Sequence, residues 1–167
     1  MKAIYRLAWL LLFVALMASS AIAGEILSGK VIGISDGDTI TVLAAGNRQV
    51  KIRLYGIDCP ESRQAFGRRA KEATSRLIFG QNAHVEVINK DRYGRTVGIV
   101  YDQDGKEING QLVSLGLAWV YPQYCKIPIC KSWKNAEMAA RASGRGLWAD
   151  KDPLPPWDWR KIRKKIR

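Results

Sequence analysis

Apolar and polar positions alternate in short blocks, and each block ends at a turn signature. Glu25 to Ile34, marked by Ile26, Val31 and Ile34, predicts a first strand, and Ser35-Asp36-Gly37-Asp38 a tight turn after it. Thr39 to Leu43 predicts a second strand, closed by Ala45-Gly46-Asn47. Gln49 to Ile57 predicts a third, with Val50 and Ile52 on one face, Lys51 and Arg53 on the other, and Pro60 stopping the ladder. His84 to Ile88 and Thr96 to Tyr101 alternate again around the turn Asp91 to Arg95. A helical period with Phe66, Ala70, Ala73 and Leu77 predicts a helix capped by Ser62 and ended near Phe79. Shorter helices are expected over Glu107 to Leu115 and Lys131 to Ser143. Pro153, Pro155 and Pro156 are read as excluding regular structure beyond that, with Trp157 and Trp159 pinning the segment to the surface. Five short strands joined locally, with a helix after the third, suit a mainly β fold with α: a five-stranded barrel of the oligonucleotide-binding (OB) type with three helices.

The first residues do not belong to that fold. Lys2 and Arg6 precede the apolar run Leu7 to Met17, and Ala21-Ile22-Ala23 has the small-residue pattern of a cleavage site. The run is shorter than the roughly 20 residues of a membrane span. Residues 1–23 are therefore read as a signal peptide, 24–150 as one domain, and 151–167 as a Pro/Trp segment with a basic tail. Export to the periplasm or beyond is expected, with no membrane span after processing. The net charge of +12 favours an anionic partner, and on charge alone nucleic acid, anionic lipid and acidic polysaccharide stay open. The tail Arg160 to Arg167 reads equally as a solubilising end or as extra phosphate contact. Cys125 and Cys130 are close enough in sequence to bridge in an oxidising compartment. Cys59 is left as a small packing residue, because the single histidine, His84, makes a Cys–His pair a poor candidate.

Antiparallel pairing of the second and third strands brings Asp38 and Asp58 to one end of the sheet. Two converging carboxylates repel unless a cation joins them, and oxygen donors suit a hard ion such as Ca²⁺ or Mg²⁺. The Thr39 carbonyl could add a ligand. Arg53 and Arg95 could grip one phosphoryl group, since guanidinium forks match phosphate oxygens, or could be solvated rim residues. Glu61 fits a general base beside a cation-held water, or an acid at a helix N-terminus.

The segments Asp36-Gly37-Asp38-Thr39, Arg53-Leu54-Tyr55-Gly56-Ile57-Asp58-Cys59-Pro60-Glu61 and Asp91-Arg92-Tyr93-Gly94-Arg95 resemble the staphylococcal nuclease (thermonuclease) family. Asn109, Leu112-Val113, Gly116-Leu117-Ala118, Ala136-Glu137, Ala139, Arg141 and Gly146-Leu147-Trp148 extend the likeness over Leu27 to Trp148. The resemblance implies a calcium-dependent endonuclease that cuts DNA and RNA and leaves 3′-phosphates. By it, Asp38, Asp58 and the Thr39 carbonyl would hold Ca²⁺, Glu61 would activate water, and Arg53 and Arg95 would bind the scissile phosphate. Asp36 would be a nearby supporting acid, and Arg92 and Tyr93 would contact a terminal or neighbouring phosphate. Tyr121 and Tyr124 are candidates for a base-stacking wall. A monomer acting on single-stranded or flexible regions is expected. Cys59 departs from the Thr common in the family. The rival reading is an OB-fold module that binds nucleic acid without cutting it. A second rival is an envelope-associated protein that uses the basic tail on anionic lipid.

Overall fold

The computed structural model describes residues 25–166, so the signal peptide expected over 1–23 lies outside the described residues. β1 (Ile26–Asp36), β2 (Thr39–Ala44) and β3 (Arg48–Leu54) form the expected antiparallel meander. β5 (Asn82–Lys90) and β6 (Thr96–Tyr101) pair antiparallel with each other, and β5 returns to β1. β6 lies parallel to β3, with Arg53 opposite Val97, which closes the barrel in the order β1-β2-β3-β6-β5. Closure leaves no strand edge exposed. Val31, Ile40, Val42, Ile52, Leu54, Val85, Ile99 and Val100 fill the interior. All but Ile99, which lies on the face of β6 opposite Val100, are the inward half of each alternating block, so period two in the sequence becomes one continuous core.

α1 (Gly67–Ile78) buries Ala70, Ala73, Thr74 and Ile78, and α2 (Ile108–Ser114) buries Ile108, Leu112 and Val113. Glu107 caps α2 by accepting from the Gly110 N–H at 2.7 Å. α3 (Cys130–Ala142) packs along α2 and buries Trp133. The Cys125–Cys130 disulfide is formed, with Cα atoms 5.7 Å apart, and Cys59 is a buried free thiol, as expected of each.

Three expectations are corrected. The third strand ends at Leu54, because Gly56 has a φ of 67° and turns the chain. Ile57–Asp58 then form a separate strand, β4, against β7 (Trp119–Val120). A Cβ at Gly56 would meet Cys125 Sγ at 2.7 Å, so the disulfide packs on this corner. The first helix starts at Gly67, not at Ser62, and the stretch between runs in turns. Finally, four α-helices stand among the described residues, not three. The fourth, α4 (Pro156–Ile166), is the segment that its prolines seemed to forbid. Proline is tolerated in the first turn of a helix, where its missing N–H has no partner to lose.

Candidate functional site

The site lies where β2 begins and β3 ends. Thr39 pairs with Arg53, so the turn before Thr39 sits beside the strand that carries Arg53. Gly37 lets that turn close: a Cβ there would meet Cys59 Cβ at 2.7 Å and Ala70 Cβ at 2.8 Å. Buried Thr74 of α1 donates its hydroxyl to the Gly37 carbonyl at 2.6 Å. The turn is thus bolted to the helix, and Asp38 is aimed by both.

Asp38 and Asp58 converge on one guanidinium. Arg53 Nη1 lies 3.0 Å from Asp38 Oδ1, and Nη2 lies 2.9 Å from Asp58 Oδ1. Asp38 Oδ2 accepts the Cys59 N–H at 2.6 Å, and the Thr39 hydroxyl reaches Asp38 Oδ1 at 3.3 Å. Asp36 accepts the Asp38 N–H at 3.1 Å, which shapes the turn. Asp38, Thr39 and Asp58 are all buried. Burial pushes the Asp38 carboxyl well above the usual carboxylate range, against the pull of Arg53. Burial also raises Asp58, although Arg160 and Arg53 both favour its ionised form. Burial raises the Cys59 thiol as well, so it stays protonated and is a packing group rather than a nucleophile.

Glu61 is half-exposed and sits six residues before α1, so it does not serve as an acid in that helix's first turn. Its carboxylate accepts from Arg160 Nη1 at 2.7 Å. Arg160 Nη2 also holds Asp58 Oδ2 at 2.6 Å. Four acidic side chains (Asp36, Asp38, Asp58, Glu61) therefore gather around two guanidiniums (Arg53, Arg160), with Arg163 and Lys164 lining the groove beside Glu61. Among the described residues no three His, Cys, Asp or Glu side chains are drawn together as a metal cage. Guanidiniums stand between these acids. The donor chemistry nevertheless fits a hard divalent ion: the donors are oxygens, and the Arg160 guanidinium already stands as a cation bridging Asp58 and Glu61.

Residues 51–150 match the protein family described as Staphylococcal nuclease homologue. The chain is 43% identical to a protein described as an uncharacterized endonuclease from Haemophilus influenzae, over 93% of this chain and 83% of that one. It is 42% identical to a protein described as a micrococcal nuclease from Shigella flexneri, over 81% of this chain and 82% of that one. The chain belongs to the staphylococcal nuclease homologue family.

The other predicted residues of this family member stand apart from the carboxylates. Arg95 pairs through Nε with Asp91 Oδ2 at 2.7 Å, within its own turn. It precedes β6, two residues before the Val97 that lies opposite Arg53. Arg92 donates to the Tyr93 hydroxyl at 2.7 Å, and Tyr93 is 69% exposed. Tyr121 is anchored by its N–H to the Gly56 carbonyl at 2.8 Å, and Tyr124 meets it edge-on. Two contacts were not foreseen from the sequence. Arg160 binds the site's acids, and Trp157 stacks on Tyr121 with ring centroids 4.7 Å apart and planes 15° from parallel. The available signal was Trp157 and Arg160 at i and i+3 behind a first-turn proline, a spacing that shares one helix face.

Proposed function

We propose that this protein is an exported, calcium-dependent endonuclease that hydrolyses phosphodiester bonds of DNA and RNA and leaves 3′-phosphates. The family relationship supports a nuclease-type activity. The observation that carries the finer reading is the shared grip on Arg53: Asp38 and Asp58, distant in sequence, hold the two ends of one guanidinium at 3.0 and 2.9 Å. Carboxylates that close can also share one ion. The disulfide supports an oxidising compartment.

In this reading Asp38, Asp58 and the Thr39 carbonyl hold the cation. A bound Ca²⁺ would neutralise phosphate charge and acidify a nearby water. Glu61, the most exposed of the site's ion-paired acids, takes the proton from a water whose oxygen attacks phosphorus in line. The bond to the 5′-oxygen breaks and that oxygen takes up a proton from solvent, leaving a 3′-phosphate and a 5′-hydroxyl. Arg53 and Arg95 meet charge as it builds on the equatorial oxygens, and their own charge does not depend on pH in the neutral range. Arg92 and Tyr93 contact a neighbouring phosphate, and Tyr121 offers an aromatic face to a base. Stacking of this kind tolerates any sequence and favours single-stranded or frayed regions.

The test is cleavage of single- and double-stranded DNA and RNA in Ca²⁺, in Mg²⁺ and in chelator. Cutting in Ca²⁺ that stops with chelator is expected. Glu61→Gln should lower the rate by about 10²–10⁴ while nucleic-acid binding persists. Nucleic-acid binding with no cleavage in any divalent ion would leave the non-catalytic module as the correct reading.

A further inference from the structure

The C-terminal helix does more than lie against the barrel. Its first turn places two side chains on one face, three residues apart, and each sits in the candidate site. Arg160 bridges Asp58 Oδ2 at 2.6 Å and Glu61 Oε1 at 2.7 Å. Trp157 stacks nearly flat on Tyr121, with centroids 4.7 Å apart and an interplanar angle of 15°. Under the proposed function Asp58 would be a ligand of the cation, Glu61 the base beside it, and Tyr121 a face for a nucleobase. We propose that α4 is an internal occupant of the active site, a latch in which Arg160 ties up one cation ligand and the general base, and Trp157 takes the place of a stacked base, and which leaves when cation and strand arrive. This rests on the nuclease reading for the identity of what displaces it.

The fit of the helix is specific at its start and loose beyond. Pro156 is buried, and Trp157 also meets Trp119 edge-on at 5.7 Å. Gln64 Nε2 donates to the Leu154 carbonyl at 2.5 Å, fixing the strand of chain that leads into the helix. Past Arg160, Ile162 and Ile166 are exposed, so the second half of α4 has little apolar hold. Trp159 Nε1 is buried and finds no hydrogen-bond partner among the described residues. A buried donor without a partner counts against the docked state and keeps it reversible. Arg160 is itself 43% exposed, so its ion pairs compete with solvent and with other ions.

Both displacing agents act on the same helix. A divalent ion competes with the Arg160 guanidinium for Asp58, and losing that pair also frees Glu61. A polyanionic strand attracts the released helix, since Arg160, Lys161, Arg163, Lys164 and Lys165 lie within six positions of one another. Arg163 and Lys164 already line the groove beside Glu61 with Trp159 and Arg160. The released helix therefore becomes a phosphate-binding arm next to the cut site, and the protein rests closed when no nucleic acid is present.

The experiment compares wild type, Arg160→Ala and Arg160→Lys as full chains. Calcium is titrated by calorimetry, and hydrogen exchange of the amides of 156–166 is followed with and without Ca²⁺. A latch closed nine-tenths of the time raises the apparent Kd about tenfold. Arg160→Ala should therefore bind Ca²⁺ about tenfold more tightly than wild type, with Arg160→Lys between them. Saturating Ca²⁺ should speed exchange in 156–166 of the wild type. Equal Ca²⁺ affinity in all three proteins, or exchange in 156–166 that does not change on saturation, overturns the latch even if all three cut nucleic acid. The opposite result, tighter binding and faster exchange with no cleavage by any of them, upholds the latch and removes the nuclease reading. No Ca²⁺ binding by any of the three overturns both.

Discussion

Two Arg–Asp clusters stand where the end of β3 overlaps the start of β6, and they behave in opposite ways. In the Asp91–Arg95 turn, burial opposes ionisation, but bonds from Arg95 and from the Tyr93 and Arg95 N–H groups win and lower the Asp91 carboxyl. Around Arg53, burial wins and Asp38 and Asp58 are raised. The residue types are the same. The difference is water and count: Asp91 is near solvent with one guanidinium, whereas Asp38 and Asp58 are buried and share Arg53 with each other. A solvated pair is a finished structure. In the buried cluster the ionised carboxylates are disfavoured by burial, and a further cation beside them would favour the ionised forms.

The sharpest way to break this contrast is to remove each guanidinium. Arg53→Ala leaves two buried carboxylates without their shared partner, and breaking a buried ion pair from one side costs about 3–5 kcal/mol. Arg95→Ala removes a partly exposed partner and should cost less than about 1 kcal/mol. Urea unfolding in chelator measures both. On activity the two should converge, because each is assigned to the same phosphate: loss of one such donor typically slows the reaction by about 10²–10³. Equal stability losses would mean that the buried cluster is no more dependent on its arginine than the surface turn. A normal rate in Arg95→Ala would withdraw Arg95 from the phosphate.

A second contrast lies in what holds each turn. The Asp91 turn is closed by its own side chain, which accepts the N–H groups of Tyr93 and Arg95. The Asp38 turn is held from outside, by the Thr74 hydroxyl on the Gly37 carbonyl. Thr74→Val keeps shape but leaves that carbonyl short of a donor in a buried place, at about 1–3 kcal/mol. Because the lost bond also aims Asp38, calcium affinity should fall with stability. If calcium affinity held while stability fell, Thr74 would be a packing residue with no bearing on the site.

Much of this was legible in the sequence, for physical reasons. The alternation in Thr39 to Leu43 and Gln49 to Leu54 can satisfy only a sheet with one buried face, so the hairpin register followed from it; the convergence of Asp38 and Asp58 on Arg53 depends also on the Gly56 turn and β4, which the pattern did not show. The helix count did not follow. Pro153, Pro155 and Pro156 carry the same local signal, and only the next residues show that Pro156 opens a helix. The interruption at Gly56 was hidden for a similar reason, since Tyr55 and Ile57 keep the apolar pattern across a positive φ. Arg160 was illegible as a partner of Glu61 because the two are 99 residues apart and a basic tail is by composition a solvated one. Local pattern encodes elements; it does not encode which exposed cation finds which acid.

The smallest effect separates the two clusters by pH alone. Asp38, raised by burial, binds its proton more tightly when folded than when unfolded. Its contribution is fully present below the unfolded carboxylate value, about 4, and is lost as pH rises through the raised folded value. Asp91 runs the other way. Lowered in the fold, it contributes stability above the unfolded value that is lost as pH falls through its folded one. Each single proton contributes a slope of at most about 1.4 kcal/mol per pH unit. Urea midpoints in chelator across acidic to neutral pH therefore have a signed expectation for each variant. Asp38→Asn should remove a gain in stability toward acid, and Asp91→Asn should remove a loss. If the two variants shifted the profile in the same direction, the carboxylates would be in like surroundings. The case for a buried cluster whose ionised form a further cation would favour would then be gone.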